Sequence, residues 1–355
     1  MHVYVHTPFC DSICYYCDFC RYKSEDRIKK QWKDVLIQEI QEEDIHSIST
    51  LYFGGGTPSS LDIESFKEIS SLFLPYLKKE YEWTVECNPD SVTMEKLKLY
   101  KQLGVNRISL GVQTFNDEHL KAIGRNHSIK DIYKAIEMIR SIGIENISID
   151  LIYGLPNQTL EDIQYNLDCF LQLNLPHLSI YSLQIEENSI FGKRHIEPCD
   201  EDLEADMYEC IKDILTEHGY IHYEISSYCK ETYESKHNLS YWSDCDFVGL
   251  GCGASGKENG IRYDHTRNLM DYIKEKNHKH FVETDGKFEA IMMSLRTIYG
   301  LDIQKWNETY NGNFMEMYKK TIDKYSDTYL VLDENRLKCT EKGMEILNNI
   351  LVDFL

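Results

Sequence analysis

The chain has 355 residues, 42% of them hydrophobic, with 25 Tyr and 13 Phe, enough for a large buried core and more than one folded unit. Its formal net charge of −21 argues against nucleic acid as a partner, because gripping phosphates takes a basic face. No apolar run reaches the ~18 residues of a membrane span, and "MHVYVHTPFC" lacks the features of a signal peptide, so a cytoplasmic location is expected.

The first strand, "HVYVHT" (2–7), precedes a polar helical segment, "DRIKKQWKDVLIQEIQEE". Next come "TLYFGGG" (50–56) with "DIESFKEISSLFLPYLKK", then "EWTVECNP" (82–89) with "TMEKLKLYKQLG". "RISLGVQ" (107–113) precedes helices through "IGIE", "ISIDLIYGLP" (147–156) precedes "TLEDIQYNLDCFLQLN", and "HLSIYSL" (177–183) closes the series. Strands that alternate with helices in this way must run parallel through right-handed crossovers. The expected class is α/β, a partial (β/α)6 barrel in the manner of the eight-fold barrel.

After residue 185 the pattern changes to a linker, a helix, one strand, and a loop holding "HNLSYW" and the glycine-rich "GLGCGASG". From about 285 the chain reads helix, turn, helix and a β-containing turn, as in a small winged-helix module. The expected units are a core over 1–185, a barrel extension over 186–284 and a C-terminal winged-helix-like unit over 285–355. The last unit carries more acidic than basic side chains, which argues against DNA binding. A separate module of this kind could gate a pocket or dock a partner.

Of the twelve cysteines only four cluster, in "CDSICYYCDFC" directly behind the first strand. Cys10-x3-Cys14-x2-Cys17 is not the zinc-ribbon pattern of two separated C-x2-C pairs. Cys17-x2-Cys20 alone could be a redox dithiol, but that leaves Cys10 and Cys14 unexplained. Three thiolates on one short loop can each take one iron of a [4Fe–4S] cube and leave the fourth iron open. Gly54–Thr57, Glu86, Gln113 and Asp150 fall at the C-terminal ends of other strands. In parallel α/β folds, ligands bind at that edge.

A C-x3-C-x2-C loop after the first strand of such a barrel is the radical S-adenosylmethionine signature. Within that superfamily the sequence resembles the HemW-type haem chaperones, relatives of oxygen-independent coproporphyrinogen III dehydrogenases. "YFGGGTPS", "ECNPD", "RISLGVQTF", "IGRNHS", "IDLIYGLP", "HYEISSY", "HNLSYW" and "SLRTIYGLD" carry the resemblance, in family order up to about residue 302.

The resemblance implies a [4Fe–4S] cluster on Cys10, Cys14 and Cys17, and S-adenosylmethionine chelating the open iron, where one-electron reduction can cleave its sulfonium. By motif position Tyr4 and Tyr16 would line the cofactor, and Gly55, Gly56 and Thr57 would let the backbone approach its methionine end. Glu86 would meet its ammonium or a ribose hydroxyl. Gln113, Arg125 and Asp150 would complete the cradle, with Arg125 suited to a carboxylate. Taken singly, Glu86 and Asp150 read equally as caps or surface acids, Gln113 and Arg125 as an internal pair, and Tyr4 and Tyr16 as core aromatics.

"HNLSYW" matches the H-N-x-x-Y-W motif of the chaperone branch. It implies haem as a further ligand, with His237 or Tyr241 as candidate axial ligands and Asn238 and Trp242 beside them. Cys245 and Cys252 are further thiols within that region. At Ser255 the chain departs from relatives that carry His, so the resemblance assigns no haem contact there. Cys20 stands where chaperones commonly have a polar residue, and is expected to be a packed thiol beside the cluster.

Two functions follow. The first is a haem chaperone that delivers haem to an acceptor, for example a membrane-bound respiratory enzyme, with homodimer formation left open. The second is a radical enzyme such as a coproporphyrinogen III dehydrogenase, which would have a long extension before the cluster motif. Here the first strand is expected at residue 2, so dehydrogenase activity is not expected.

Overall fold

The computed structural model describes residues 1–23, 25–275 and 278–355. Six parallel strands follow one another in chain order through its main sheet: β1 His2–Thr7, β2 Ile48–Gly55, β3 Leu77–Cys87, β4 Arg107–Gln113, β5 Asn146–Tyr153 and β6 His177–Ser182. The crossovers are α1 Asp26–Glu42, α2 Ile63–Ser71, α3 Met94–Leu103, α4 Asp117–Ala122 with α5 Ile129–Ser141, and α6 Leu160–Leu173. This is the expected (β/α)6 arrangement.

Local chemistry sets the helix ends. The Asp62 carboxylate accepts the Ser65 N–H at 2.8 Å and starts α2. Ser128 with Asp131 opens α5, and Thr159 with Asp162 opens α6, each pair forming a reciprocal capping box. Gly104, at φ +101°, ends α3 in a left-handed conformation that glycine reaches without steric cost.

Along each strand the side chains alternate between two unlike faces. Val85, Ile108, Leu110, Ile147 and Ile149 point outward and are fully buried under Leu97, Ile132, Ile136, Ile163 and Leu167 of the helices. Each such side chain contributes about 1.5–3 kcal/mol through burial. The other face carries Thr84 and Glu86 on β3, Arg107 and Ser109 on β4, and Ser148 and Asp150 on β5. Parallel strands covered on both faces normally read as continuous apolar runs. Here the inner face is polar, as befits a lumen that receives polar groups.

Both edges of the sheet are extended. β7 Ile221–Glu224 and β8 Ser227–Cys229 form an antiparallel pair beside β6, and β9 Val248–Leu250 runs parallel beside β1. The terminal strands are therefore β9 and β7, and the barrel stays open. The sequence reading expected one strand where β7 and β8 stand and none at β9. Elements of three or four residues are too short to display a period. Two further long or site-bearing helices follow, α7 Glu201–Glu217 and α8 Lys236–Trp242, of which α8 carries "HNLSYW" and matters below.

The C-terminal residues build a second core around Ile291, Leu295, Trp306, Phe314, Leu337 and Ile350. Short helices pack there on a three-stranded sheet of Leu301–Asp302, Leu330–Asp333 and Arg336–Cys339, with the last strand in the middle. That is a winged-helix-like arrangement. Among the described residues no helix is long and apolar enough to cross a membrane.

Candidate functional site

The loop after β1 carries Cys10, Cys14 and Cys17 to the C-terminal end of the barrel strands. It is anchored there by the Tyr15 N–H, which donates to the Ile123 carbonyl at 2.9 Å, and it turns on itself where the Cys17 N–H donates to the Cys14 carbonyl at 3.4 Å. Cys10 is buried, while Cys14 and Cys17 are partly exposed, and all three are free thiols. Burial pushes the Cys10 thiol up to about 11, with the adjacent Cys17 and Cys14 adding to the rise. Ligation by a metal would have to draw those protons off.

A polar relay leads from this loop into the mouth. Arg125 donates through Nη1 to Asn88 Oδ1 at 2.9 Å and through Nη2 to the Gly111 carbonyl at 3.1 Å. Asn88 Nδ2 donates to Thr57 Oγ1 at 3.1 Å, and the Thr57 hydroxyl lies 2.7 Å from the Gly56 carbonyl and 3.5 Å from Cys10 Sγ. A cleft lined by Asp11, Cys14, Thr57, Asn88, Asp90 and Arg125 opens over it. Arg125 Nε is buried and unpartnered, and the guanidinium has no carboxylate within ion-pair distance among the described residues. Arg125 thus offers a fixed cation to an incoming carboxylate. Asn88, which lies within "ECNPD" but carries no sequence signal of its own, orients that cation.

The second wall is built on β2 and β3. The Gly55 N–H donates to Glu86 Oε2 at 3.0 Å, and the Tyr52 hydroxyl donates to Glu86 Oε1 at 2.7 Å. Burial raises the Glu86 carboxyl to about 7, with the Asp150 charge adding to the shift. Burial likewise lifts Asp150 to about 6, although Ser109 Oγ donates to it at 3.2 Å. Glu86 and Asp150 are therefore inward-facing acids of the strands and not helix caps. Gln113 sits in the left-handed region at φ +70°, where the β4–β5 register slips. Such strain concentrates at functional sites. Arg125 bonds Asn88 and Gly111, so the internal Gln113–Arg125 pair does not form.

The glycines leave space that side chains would fill. A Cβ on Gly56 would meet the Phe9 carbonyl at 2.8 Å and Cys10 Sγ at 3.0 Å, and one on Gly55 would strike the His6 ring at 2.6 Å. The Tyr4 hydroxyl lies 3.0 Å from His6 Nδ1. Tyr16 is half-buried beside Ile123, Ile152 and Leu183, next to Cys14 and Arg125, and burial raises its phenol.

Among the described residues, no three His, Cys, Asp or Glu side chains surround a position for one ion. A cube makes no such demand, since each thiolate takes a different iron. The three thiols, the donor from Thr57 and the cradle at Gly56 fit that group.

The "HNLSYW" helix lies elsewhere. Glu82, on β3, accepts the N–H groups of Lys236 and His237 at 3.1 and 3.0 Å and caps α8. His237 is buried and stacks on Tyr52, with ring centroids 4.9 Å apart. Its Nδ1 lies 2.7 Å from Thr50 Oγ1, and its Nε2 lies 2.7 Å from the Tyr241 hydroxyl. Thr50 precedes Gly55 by five positions, about 16 Å along the strand. The helix therefore closes the end of the lumen away from the cysteine loop. Both ring nitrogens of His237, expected as a candidate haem ligand, are thus engaged within the protein. Cys245 contacts its own turn at Ser243, Ser255 Oγ donates to Asp264 at 2.6 Å, and Cys252 belongs to a pair described below.

Residues 4–169 match the family model of the Radical SAM superfamily, and residues 283–346 match that of the HemN C-terminal domain. The chain is 38% identical to "Heme chaperone HemW" of Lactococcus lactis over 99% of its own length and 96% of that protein. The chain belongs to the HemW heme chaperone family. The HemW of Bacillus subtilis is similar at 36% identity, covering 99% of this chain and 98% of the relative. Among solved structures, coproporphyrinogen III oxidase of Escherichia coli superposes with a TM-score of 0.86 over 99% of this chain and 89% of its own, at 23% identity. That likeness speaks for the fold. For a HemW family member the superfamily implies a [4Fe–4S] cluster and S-adenosylmethionine.

Proposed function

We propose that the chain is a cytoplasmic haem chaperone that holds a [4Fe–4S] cluster on Cys10, Cys14 and Cys17, with S-adenosylmethionine beside it, and passes haem to an acceptor protein. The 38% identity to a heme chaperone across nearly both full lengths carries this reading. The gathering of three free thiols, a fixed guanidinium and a raised carboxyl at one mouth supports the cofactor part.

When bound, the cluster and S-adenosylmethionine supply one-electron chemistry to the site. The chain's own residues bind and orient. Arg125 meets a carboxylate, Glu86 an ammonium or ribose hydroxyl, and Gly55, Gly56 and Thr57 admit the ligand to the backbone. Gln113 and Asp150 add polar contacts at the ends of β4 and on β5. Tyr4 and Tyr16 give the cofactor apolar walls. For haem, His237 would offer a ring nitrogen once Tyr241 or Thr50 releases it, and the Tyr241 hydroxyl would be the alternative ligand.

The experiment is anaerobic reconstitution with iron and sulfide, followed by haem titration. Saturable haem binding, with no loss of coproporphyrinogen III and no matching 5′-deoxyadenosine, supports the chaperone. Substrate loss coupled to 5′-deoxyadenosine would replace it with the radical-enzyme reading.

A further inference from the structure

Cys20 does not face the other three cysteines of its loop. Its sulfur lies 3.7 Å from Cys252 Sγ, across 232 residues of sequence. Both side chains are buried, and each sulfur also contacts a carbonyl of the same strand-to-helix turn: Cys20 that of Arg267 at 3.3 Å, Cys252 that of Thr266 at 3.3 Å. The surroundings are shaped to allow this approach. Gly253 stands at φ +80°, and a Cβ there would collide with the Cys20 side chain. Gly251, at φ +97°, lies against the backbone of His6, where a Cβ would meet its carbonyl at 2.6 Å. The "GLGCGASG" stretch is thus the surface that brings a second thiol onto the cysteine loop.

The geometry points to Cys20 and Cys252 as a reversible dithiol–disulfide site that ties the cysteine loop to the turn after β9. The oxidant is a low-molecular-weight disulfide such as oxidised glutathione. Cys20 thiolate attacks one of its sulfurs and releases one glutathione thiolate. Cys252 passes its proton to that thiolate and attacks the Cys20 sulfur, expelling the second glutathione as a thiolate that takes a proton from water. One external disulfide is reduced to two thiols while the two cysteines become one disulfide, and two electrons are exchanged. Closing the bond needs the sulfurs to approach from 3.7 Å to about 2.05 Å. Either thiol can donate to the other's sulfur at this distance, and Cys20, 7% exposed against 0% for Cys252, is the partner a disulfide in solution reaches first.

The cross-link would reach the candidate cofactor site through one side chain. His6 Nε2 bonds the Cys20 carbonyl at 2.9 Å, and the same ring lies under Gly55 and against Tyr4. Locking Cys20 therefore fixes the support of the mouth.

The test equilibrates the anaerobically reconstituted full chain across glutathione redox buffers, alkylates free thiols under denaturation and maps peptides by mass spectrometry. The expected result is a Cys20–Cys252 cross-linked peptide that rises with oxidised glutathione, reverts with dithiothreitol and is missing in Cys252→Ser. Recovery of both cysteines as alkylated thiols in the most oxidising buffer, or as single glutathione adducts, overturns the proposal.

Discussion

The Gly55 N–H donates to the Glu86 carboxylate at 3.0 Å, joining the end of β2 to the inner face of β3. This bond places a carboxyl raised to about 7 against the strand end that faces the cysteine loop.

The raised carboxyl makes ligand binding depend on pH. Glu86 must be ionised to pair with an ammonium, so affinity for S-adenosylmethionine is expected to rise between about pH 6 and about pH 7.5, with proton uptake by the buffer. Glu86→Gln should bind more weakly and lose this slope. Titration calorimetry in two buffers of different ionisation enthalpy measures it; a flat wild-type profile contradicts the assignment.

The same shift has a stability sign. The folded carboxyl keeps its proton up to about 7, whereas the unfolded one releases it near 4.3. Its contribution is complete below the lower value and lost as pH rises through the upper one. The ligand-free protein should therefore lose stability from about pH 4 to about pH 7 through this group, and Glu86→Gln should shrink that part of the slope in denaturant unfolding. An unchanged slope in the variant would count against the burial argument.

Gly55 stands at φ +106° with the His6 ring 2.6 Å from where a Cβ would sit, while Gly219, at φ +79°, has open space around it. Gly55→Ala should lose the backbone cost of about 1–3 kcal/mol and more from the collision, whereas Gly219→Ala should lose the backbone cost alone. Unfolding curves of the two variants decide it: equal losses would mean that the His6 contact imposes nothing.

At α8, Tyr241→Phe removes the hydroxyl that occupies His237 Nε2 at 2.7 Å. It should cost about 1 kcal/mol of stability, and haem should bind more tightly if His237 is the axial ligand. His237→Ala should destabilise by about 2–4 kcal/mol, since it empties a buried stack and takes away one of the two imidazole partners of the Thr50 hydroxyl, leaving that of His2. Weaker haem binding by Tyr241→Phe would instead point to the tyrosine as ligand. Unchanged haem binding in both variants would remove this helix from the haem site.

The six parallel strands and their crossovers were legible because each strand carries β-rich residues at its own period and each helix its own cap signals. The inward face was legible too, in retrospect: "RISLGVQ" places Arg107, Ser109, Gly111 and Gln113 on alternate positions, and the odd positions are those that line the lumen. What a sequence scan missed is long-range. Asn88 orients Arg125 from 37 residues away, and Cys252 meets Cys20 from 232 residues away, distances over which spacing carries no signal. The occupied nitrogens of His237 were hidden for the same reason, since Thr50 lies 187 residues upstream.

The most direct measurement is iron and acid-labile sulfide content after anaerobic reconstitution, for wild type and for Cys10→Ala, Cys14→Ala and Cys17→Ala. About four irons and four sulfides per chain are expected in the wild type, with loss of the cluster absorbance in every single variant. A wild type that takes up no iron, or three variants that keep the full complement, would contradict the shared seat of these thiols.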